Sequence, residues 1–187
     1  MKRGFTIVEV LVVIGVITLL ATIVTTAYVM YQDRSYDAQA RGLANSVRAG
    51  AERYFNRNND YPSGTQLSNL ATAHSMLGVP IANLDGPNVQ LRGCAGVSST
   101  CIPNPHDKTK VYYLTKLDSD GTAARSYSIT LKSGSTACTY SLPSGESIRG
   151  SYLLAYWSSQ DATWKVARSS QGRPTTSNAT TCPFTAL

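Results

Sequence analysis

Residues 5–31 read FTIVEVLVVIGVITLLATIVTTAYVMY, 27 residues in which Glu9 is the only charged side chain. At about 1.5 Å rise per residue this run makes a helix of roughly 40 Å, enough to cross a bilayer core of about 30 Å with some tilt. A secretory signal has a hydrophobic region of only about 7–15 residues before a small-residue cleavage site, and this run is longer and continues. Lys2 and Arg3 precede it and predict a cytoplasmic N-terminus, which places everything after about Asp33 outside the cytoplasm. Within the run, an acidic side chain near the bilayer centre costs about 3 kcal/mol, and less toward an interface. Glu9 therefore needs an offset: snorkelling to headgroup water, or a partner charge supplied by another subunit.

The whole chain has 187 residues, of which 42% are hydrophobic and 15% charged, with a formal net charge of +6. That allows one ordinary globular domain besides the apolar run and excludes a large multidomain enzyme. Beyond the run the apolar positions become Tyr36, Ala40, Leu43, Val47, Ala51 and Tyr54, one face of a helix. No proline interrupts residues 5–61, so the spacing predicts one continuous helix from near Phe5 to near Asn56, with Gly15, Gly42 and Gly50 as weak points. It should end in the turn-rich stretch Asn56–Pro62.

A short helix is expected around Gln66–Leu77, followed from Gly78 to Asp107 by a long connecting loop rich in Gly, Pro, Asn and Ser. Lys110–Leu117 and Tyr127–Leu131 read as strands flanking Asp118-Ser-Asp-Gly-Thr, a hairpin signal; Ala137–Leu142, Tyr152–Trp157 and Thr163–Ala167 are further strand candidates. The expectation is an α+β fold, a long N-terminal helix packed on a small antiparallel β-sheet, with an irregular Ser/Thr-rich tail from Ser169 to Ala186. The divisions are a leader at 1–4, an apolar membrane or filament-core segment at 5–31, an amphipathic half of the same helix at 32–57, a connecting region at 58–109 and a C-terminal sheet region at 110–187.

All four cysteines, Cys94, Cys101, Cys138 and Cys182, fall in the exported part, where disulfides persist. Three pairings are open. Proximity favours a Cys94–Cys101 clip, leaving Cys138–Cys182 to tie the tail down across a 45-residue loop, each worth a few kcal/mol. Zinc held by Cys94, Cys101 and His106 is the competing reading, and the loose spacing and the compartment argue against it.

The string Lys2-Arg3-Gly4-Phe5-Thr6-Ile7-Val8-Glu9-Val10-Leu11 resembles the N-terminus of type IV pilins and of the related pseudopilins of type II secretion. The resemblance implies a basic leader ending at Gly4, removed by a prepilin peptidase that also N-methylates the new first residue, Phe5. It implies that Glu9, the fifth mature residue, serves filament assembly together with Phe5. Tyr61-Pro62, the long helix, a small C-terminal sheet and a late disulfide are also similar to the family. One departure is Thr26, where many of these pilins carry a proline about twenty-two residues into the mature chain. The kink that follows such a proline is then not expected as usual, although Thr25, Thr26 and Gly15 could loosen the helix locally in a filament.

Cleavage after Gly4 would remove Lys2 and Arg3 and leave an ammonium on Phe5 beside the Glu9 carboxylate. At an effective dielectric near 20 and about 4 Å, a pair of this kind between copies is worth roughly 4 kcal/mol before desolvation. It would set register, and cohesion would come from packing Ile7, Val8, Val10, Leu11, Val13, Ile14, Ile17, Leu20 and Ile23 against neighbouring helices. The partners implied are copies of this chain, the prepilin peptidase, the pilus assembly machinery and, before assembly, the membrane. Side chains leave +4 after processing, 15 minus 11, a charge that suits DNA or an acidic host surface as a further partner.

Arg34, Arg41 and Arg48 recur every seven residues beside Asp33, Asp37 and Glu52, either as a solvated face or as ion pairs between neighbouring helices. Asp118-Ser-Asp-Gly opens like a calcium loop, but the twelfth position is Ile129 where a bidentate Glu is needed, so a hairpin turn is favoured. Asn178-Ala-Thr matches a glycosylation acceptor of a kind common by chance. His74, His106, Asp85, Asp107, Glu146 and Asp161 form no catalytic constellation, and no cofactor or metal is expected. Tyr112, Tyr127, Tyr140, Trp157 and Trp164 lie in strand candidates and are expected in the core. The function expected is a structural pilus subunit, the major pilin, with a minor pilin or secretion pseudopilin as the alternative within the family, which abundance rather than sequence separates. A membrane-anchored adhesin or DNA-binding module is the alternative from another class.

Overall fold

The computed structural model describes residues 6–95, 107–115, 128–133, 136–141, 152–169, 175–176 and 185–186. One helix, α1 (Ile7–Asn58), runs through 52 residues without a break. Thr6 caps its start, its hydroxyl accepting from the Glu9 amide, and Asn59 ends it in the left-handed conformation at φ 52°, its N–H donating to the Phe55 carbonyl. The hydroxyls of Thr18, Thr22, Thr25 and Thr26 donate to carbonyls one turn back, at 2.6–3.3 Å. In an apolar surround this satisfies groups that would otherwise need water.

The two halves of α1 have opposite fates. Ala40, Leu43, Ala44, Val47, Gly50 and Ala51 are buried against the rest of the chain, following the expected stripe. Ile7 to Tyr31 is uncovered, with Ile7 80% and Tyr31 73% exposed. Its length and composition suffice to cross a membrane.

After α1 the expected single helix at Gln66–Leu77 is two, α2 (Gly64–Leu67) and α3 (Leu70–Leu77), each started by its own cap: Ser63 accepts from the Gln66 amide and Asn69 from the Thr72 amide. Gly78, at φ 65°, closes α3. The stretch read as a loop holds a short helix α4 (Ile81–Leu84) and a strand β1 (Gln90–Ala95). The remaining strands are β2 (Lys110–Thr115), β3 (Ser128–Ser133), β4 (Thr136–Ser141), β5 (Tyr152–Ser158), β6 (Thr163–Arg168), β7 (Thr175–Thr176) and β8 (Thr185–Ala186).

The fold is α+β, as read, but its main sheet is mixed rather than antiparallel. Its order is β1-β2-β5-β6-β8, with β1–β2 and β6–β8 parallel and β2–β5 and β5–β6 antiparallel. Because β1 and β2 run parallel, no tight hairpin can join them. The hairpin expected between β2 and β3 is not formed. Those strands lie in different sheets, β3 pairing with β4 and β4 with β7. The tail read as irregular contributes β7 and β8. Asp118-Ser-Asp-Gly-Thr, Asn178-Ala-Thr, Tyr127, His106 and Glu146 lie outside the described residues.

β5 is buried along its whole length. Tyr152, Leu154 and Tyr156 join Val111, Tyr113 and Ala167 in the core that receives α1. The opposite face, with Tyr112, Leu114, Leu153, Trp157 and Trp164, is buried too, and Trp157 meets Trp164 edge-on at 5.8 Å. Strands buried on both faces read as unbroken apolar runs, which is how Tyr152–Trp157 is written.

Candidate functional site

The chain's most distinctive surface is the first half of α1, and Glu9 sits near its start. Thr6 and Glu9 form a capping box: the Thr6 backbone N–H and hydroxyl both donate to Glu9 Oε2 at 2.9 Å, while the Glu9 amide donates to Thr6 Oγ1 at 3.3 Å. The carboxylate is thus held at the helix N-terminus by its own chain, where the helix dipole also favours negative charge. Gly4 and Phe5, the residues of the expected cleavage, lie outside the described residues.

Each of the three acids flanking the arginine heptad has a partner within the subunit. Asp33 Oδ1 accepts from Lys108 Nζ at 2.7 Å, and the same ammonium lies 4.8 Å from the centre of the Tyr36 ring. Asp37 accepts from the Ser158 hydroxyl at 2.6 Å and from the backbone N–H groups of Ser159 and Gln160 at 3.2 and 3.3 Å. Glu52 accepts from the hydroxyls of Tyr61 at 2.7 Å and Tyr152 at 3.1 Å. Burial and the neighbouring Glu52 push the Tyr152 phenol well above its ordinary range. Arg34, Arg41 and Arg48 are exposed, and among the described residues none has a carboxylate within salt-bridge distance.

Cys94 is fully buried and disulfide-bonded. Cys101 and Cys182 lie outside the described residues, and Cys138 is placed by its backbone in β4. His74 Nδ1 lies 2.9 Å from the Val79 carbonyl, so this imidazole is engaged in fastening the end of α3. Among the described residues no three His, Cys, Asp or Glu side chains are grouped to hold a metal.

Two groups that carry this arrangement went unread in the sequence. Lys108 and the Ser158–Gln160 turn are the head's fastenings to α1 nearest the apolar run, and they lie 75 and more than 120 positions from their partners. No local pattern announces such a pair.

Comparison with known proteins bears on the uncovered half of α1. Residues 1–25 match the family model described as the prokaryotic N-terminal methylation motif. The first 25 residues are thus similar to the N-termini of proteins that carry this motif. The chain is 24% identical over 88 residues to fimbrial proteins of Neisseria meningitidis serogroup B (strain ATCC BAA-335 / MC58) and of serogroup A / serotype 4A (strain DSM 15465 / Z2491). The match covers 47% of this chain and 52% of each relative, so the chain spans about half the length of the relatives it matches. No solved structure matches it.

Proposed function

We propose that the chain is made as a single-pass membrane precursor, cleaved between Gly4 and Phe5 by a prepilin peptidase, N-methylated on Phe5 and polymerised with copies of itself by the pilus assembly machinery as a major pilus subunit. In this reading residues 1–4 are the leader, 5–31 the membrane and then filament-core segment, 32–57 the half of α1 that carries the head, and 58–187 the head. The observation that carries it is the division of α1: one helix whose second half is packed in the head and whose first half is wholly uncovered. An apolar surface of that size needs lipid or other helices around it.

The Thr6–Glu9 box adds a mechanism. It holds the carboxylate at the very end of the helix, where the Phe5 ammonium of a neighbouring copy would meet it without first reorienting a flexible side chain. Ion pairing then fixes register, while the packed apolar side chains supply cohesion.

The test is intact-mass and N-terminal peptide analysis of sheared surface material beside the membrane fraction, in wild type and in Glu9→Ala. The expected result is abundant sheared chain beginning at methylated Phe5 in wild type. In Glu9→Ala, cleaved protein should stay in the membrane and filament yield should be all but lost. A processed chain confined to membranes in wild type would identify a minor pilin or pseudopilin instead, and a retained leader would turn the reading to an anchored adhesin or DNA-binding module. Normal filament yield from Glu9→Ala would overturn the register role.

A further inference from the structure

Just beyond the apolar run, α1 and the β5–β6 turn enclose an open groove of about 390 Å³ whose rim carries Arg34, Arg41 and Lys165. Its two carboxylates are already engaged. Asp37 takes three hydrogen bonds from the turn, and Asp161 holds Lys165 at 2.5 Å. Arg34 and Arg41 are exposed, have no carboxylate within salt-bridge distance among the described residues, and line the groove with the buried Tyr156 and the exposed Gln160. Two planar guanidinium forks about a heptad apart suit an oxyanion that offers several oxygens.

Position along the helix selects the oxyanion. From Glu9 to Tyr28 is about 28 Å of helix and to Tyr31 about 33 Å, matching a hydrocarbon core of about 30 Å. Tyr28 and Tyr31 are exposed, as interfacial aromatic anchors are. Arg34 then stands one turn past that boundary, at headgroup depth. Arg41 is about 10 Å higher, but helical side chains slant toward the N-terminus, which here is toward the bilayer. The turn clamped by Asp37 and Lys108 clamped by Asp33 hold the head down at this same level.

We propose that this groove receives the phosphate of a membrane lipid headgroup while the chain is held in the bilayer, with Arg34 and Arg41 as its binding residues. The proposal rests on the membrane-anchored reading of the apolar run. The contact would orient the stored subunit and would be surrendered when the helix leaves the lipid.

The test uses the full chain with Arg3→Lys in every sample, because Arg3 flanks the apolar run at the other bilayer face, and with isotope-labelled arginine guanidinium carbons, reconstituted into phosphatidylglycerol-containing vesicles. Dipolar dephasing of those carbons by lipid phosphorus is measured by solid-state NMR, and flotation with the vesicles reports insertion. Dephasing in wild type that is mostly lost in Arg34→Gln/Arg41→Gln, and unchanged in Arg48→Gln, is the expected result. Insertion without dephasing, or dephasing that survives the double substitution, would overturn the groove's role while leaving the membrane reading intact. Failure to float would overturn both. Equal dephasing by inorganic phosphate in phosphate-free detergent micelles would show a site for free phosphate, not for a lipid.

Discussion

Asp37 shows what a single carboxylate does here. It stands on α1 one turn before the helix enters the core, and its two oxygens accept from the Ser158 hydroxyl and two turn amides. Ser158 is 1% exposed, so without Asp37 its hydroxyl keeps only the Asp161 amide it accepts from, at 3.2 Å. The same turn holds Ala162 at φ 48°, a left-handed conformation that costs an alanine roughly 1–2 kcal/mol and persists only where neighbours impose it. Asp37→Ala should therefore destabilise the chain by about 2–3 kcal/mol, in the range for charged hydrogen bonds lost from a part-buried site. Asp37→Asn, which keeps one acceptor oxygen, should cost less. Urea unfolding in micelles, followed by the fluorescence of Trp157 and Trp164 beside the turn, measures both; equal stability in all three would mean the turn holds itself. The sequence placed Asp37 in a charged heptad with Arg34 and Arg41, and that much was legible. Its partners lie 121 to 123 positions away, and nothing local could have named them.

At the scale of elements, α1 was legible to within about two residues, α2 and α3 were read as one helix, α4 was missed, and sheet pairing was not legible. The end of α1 is written in Asn58, Asn59, Asp60 and Pro62, and the structure stops it at Asn58. The capping boxes of α1 and α2, Thr6 to Glu9 and Ser63 to Gln66, are local signatures as well. Strands β2 to β6 were found within a few residues, because buried strands are apolar runs, but which strand lies beside which depends on contacts far apart in sequence. β1 was missed because Gly93 and Cys94 look like loop residues. The reason is steric: α2 lies so close to β1 that a Cβ on Gly93 or Gly64 would collide with the facing backbone. The packing of α3 on α1 depends on the same economy at Gly50, where a Cβ would lie 2.6 Å from the Leu77 carbonyl oxygen, the carbonyl that also accepts from Arg53 at 3.1 Å. Gly42, on the same helix, has nothing within 4 Å of such an atom. Alanine gains up to about 1 kcal/mol over glycine in a helix interior, while overpacking costs about 1–3 kcal/mol. Gly42→Ala should then stabilise the chain by up to about 1 kcal/mol, and Gly50→Ala should destabilise it by about 1–2 kcal/mol. Opposite shifts of the urea midpoint are the check, and a stabilising Gly50→Ala would show that α3 can slide outward at little cost.

For the whole molecule, the head is held by a tyrosine-rich core, and that gives it a characteristic response to alkali. Burial pushes Tyr112 and Tyr156 up to about 12, helped by Asp107 in one case and Asp37 in the other. Burial raises Tyr113 further, with Tyr152, Tyr61 and Glu52 adding to it, and Tyr152 likewise. Tyr152 packs on Tyr61 edge-on at 4.9 Å and on Tyr113 in a stack at 5.1 Å, so the groups share one site. The unfolded chain ionises these phenols near 10.0. Above that pH the unfolded state has lost protons that the folded state keeps, and stability falls as pH rises; below it the contribution is fully present. The urea midpoint should hold steady up to about pH 9 and decline through about pH 10 to 12, with tyrosinate absorbance appearing together with unfolding. A tyrosine substitution tests whether the buried phenols cause the decline. Tyr113 is the one to change. Its hydroxyl is buried without a hydrogen-bond partner among the described residues, so Tyr113→Phe removes an unsatisfied polar atom and keeps the ring. At neutral pH that variant should be as stable as wild type or more so, by up to about 1 kcal/mol, and its decline above pH 10 should be shallower. A variant that is weaker at neutral pH would show that the phenol has a partner, and an unchanged alkaline slope would assign the decline to groups other than Tyr113.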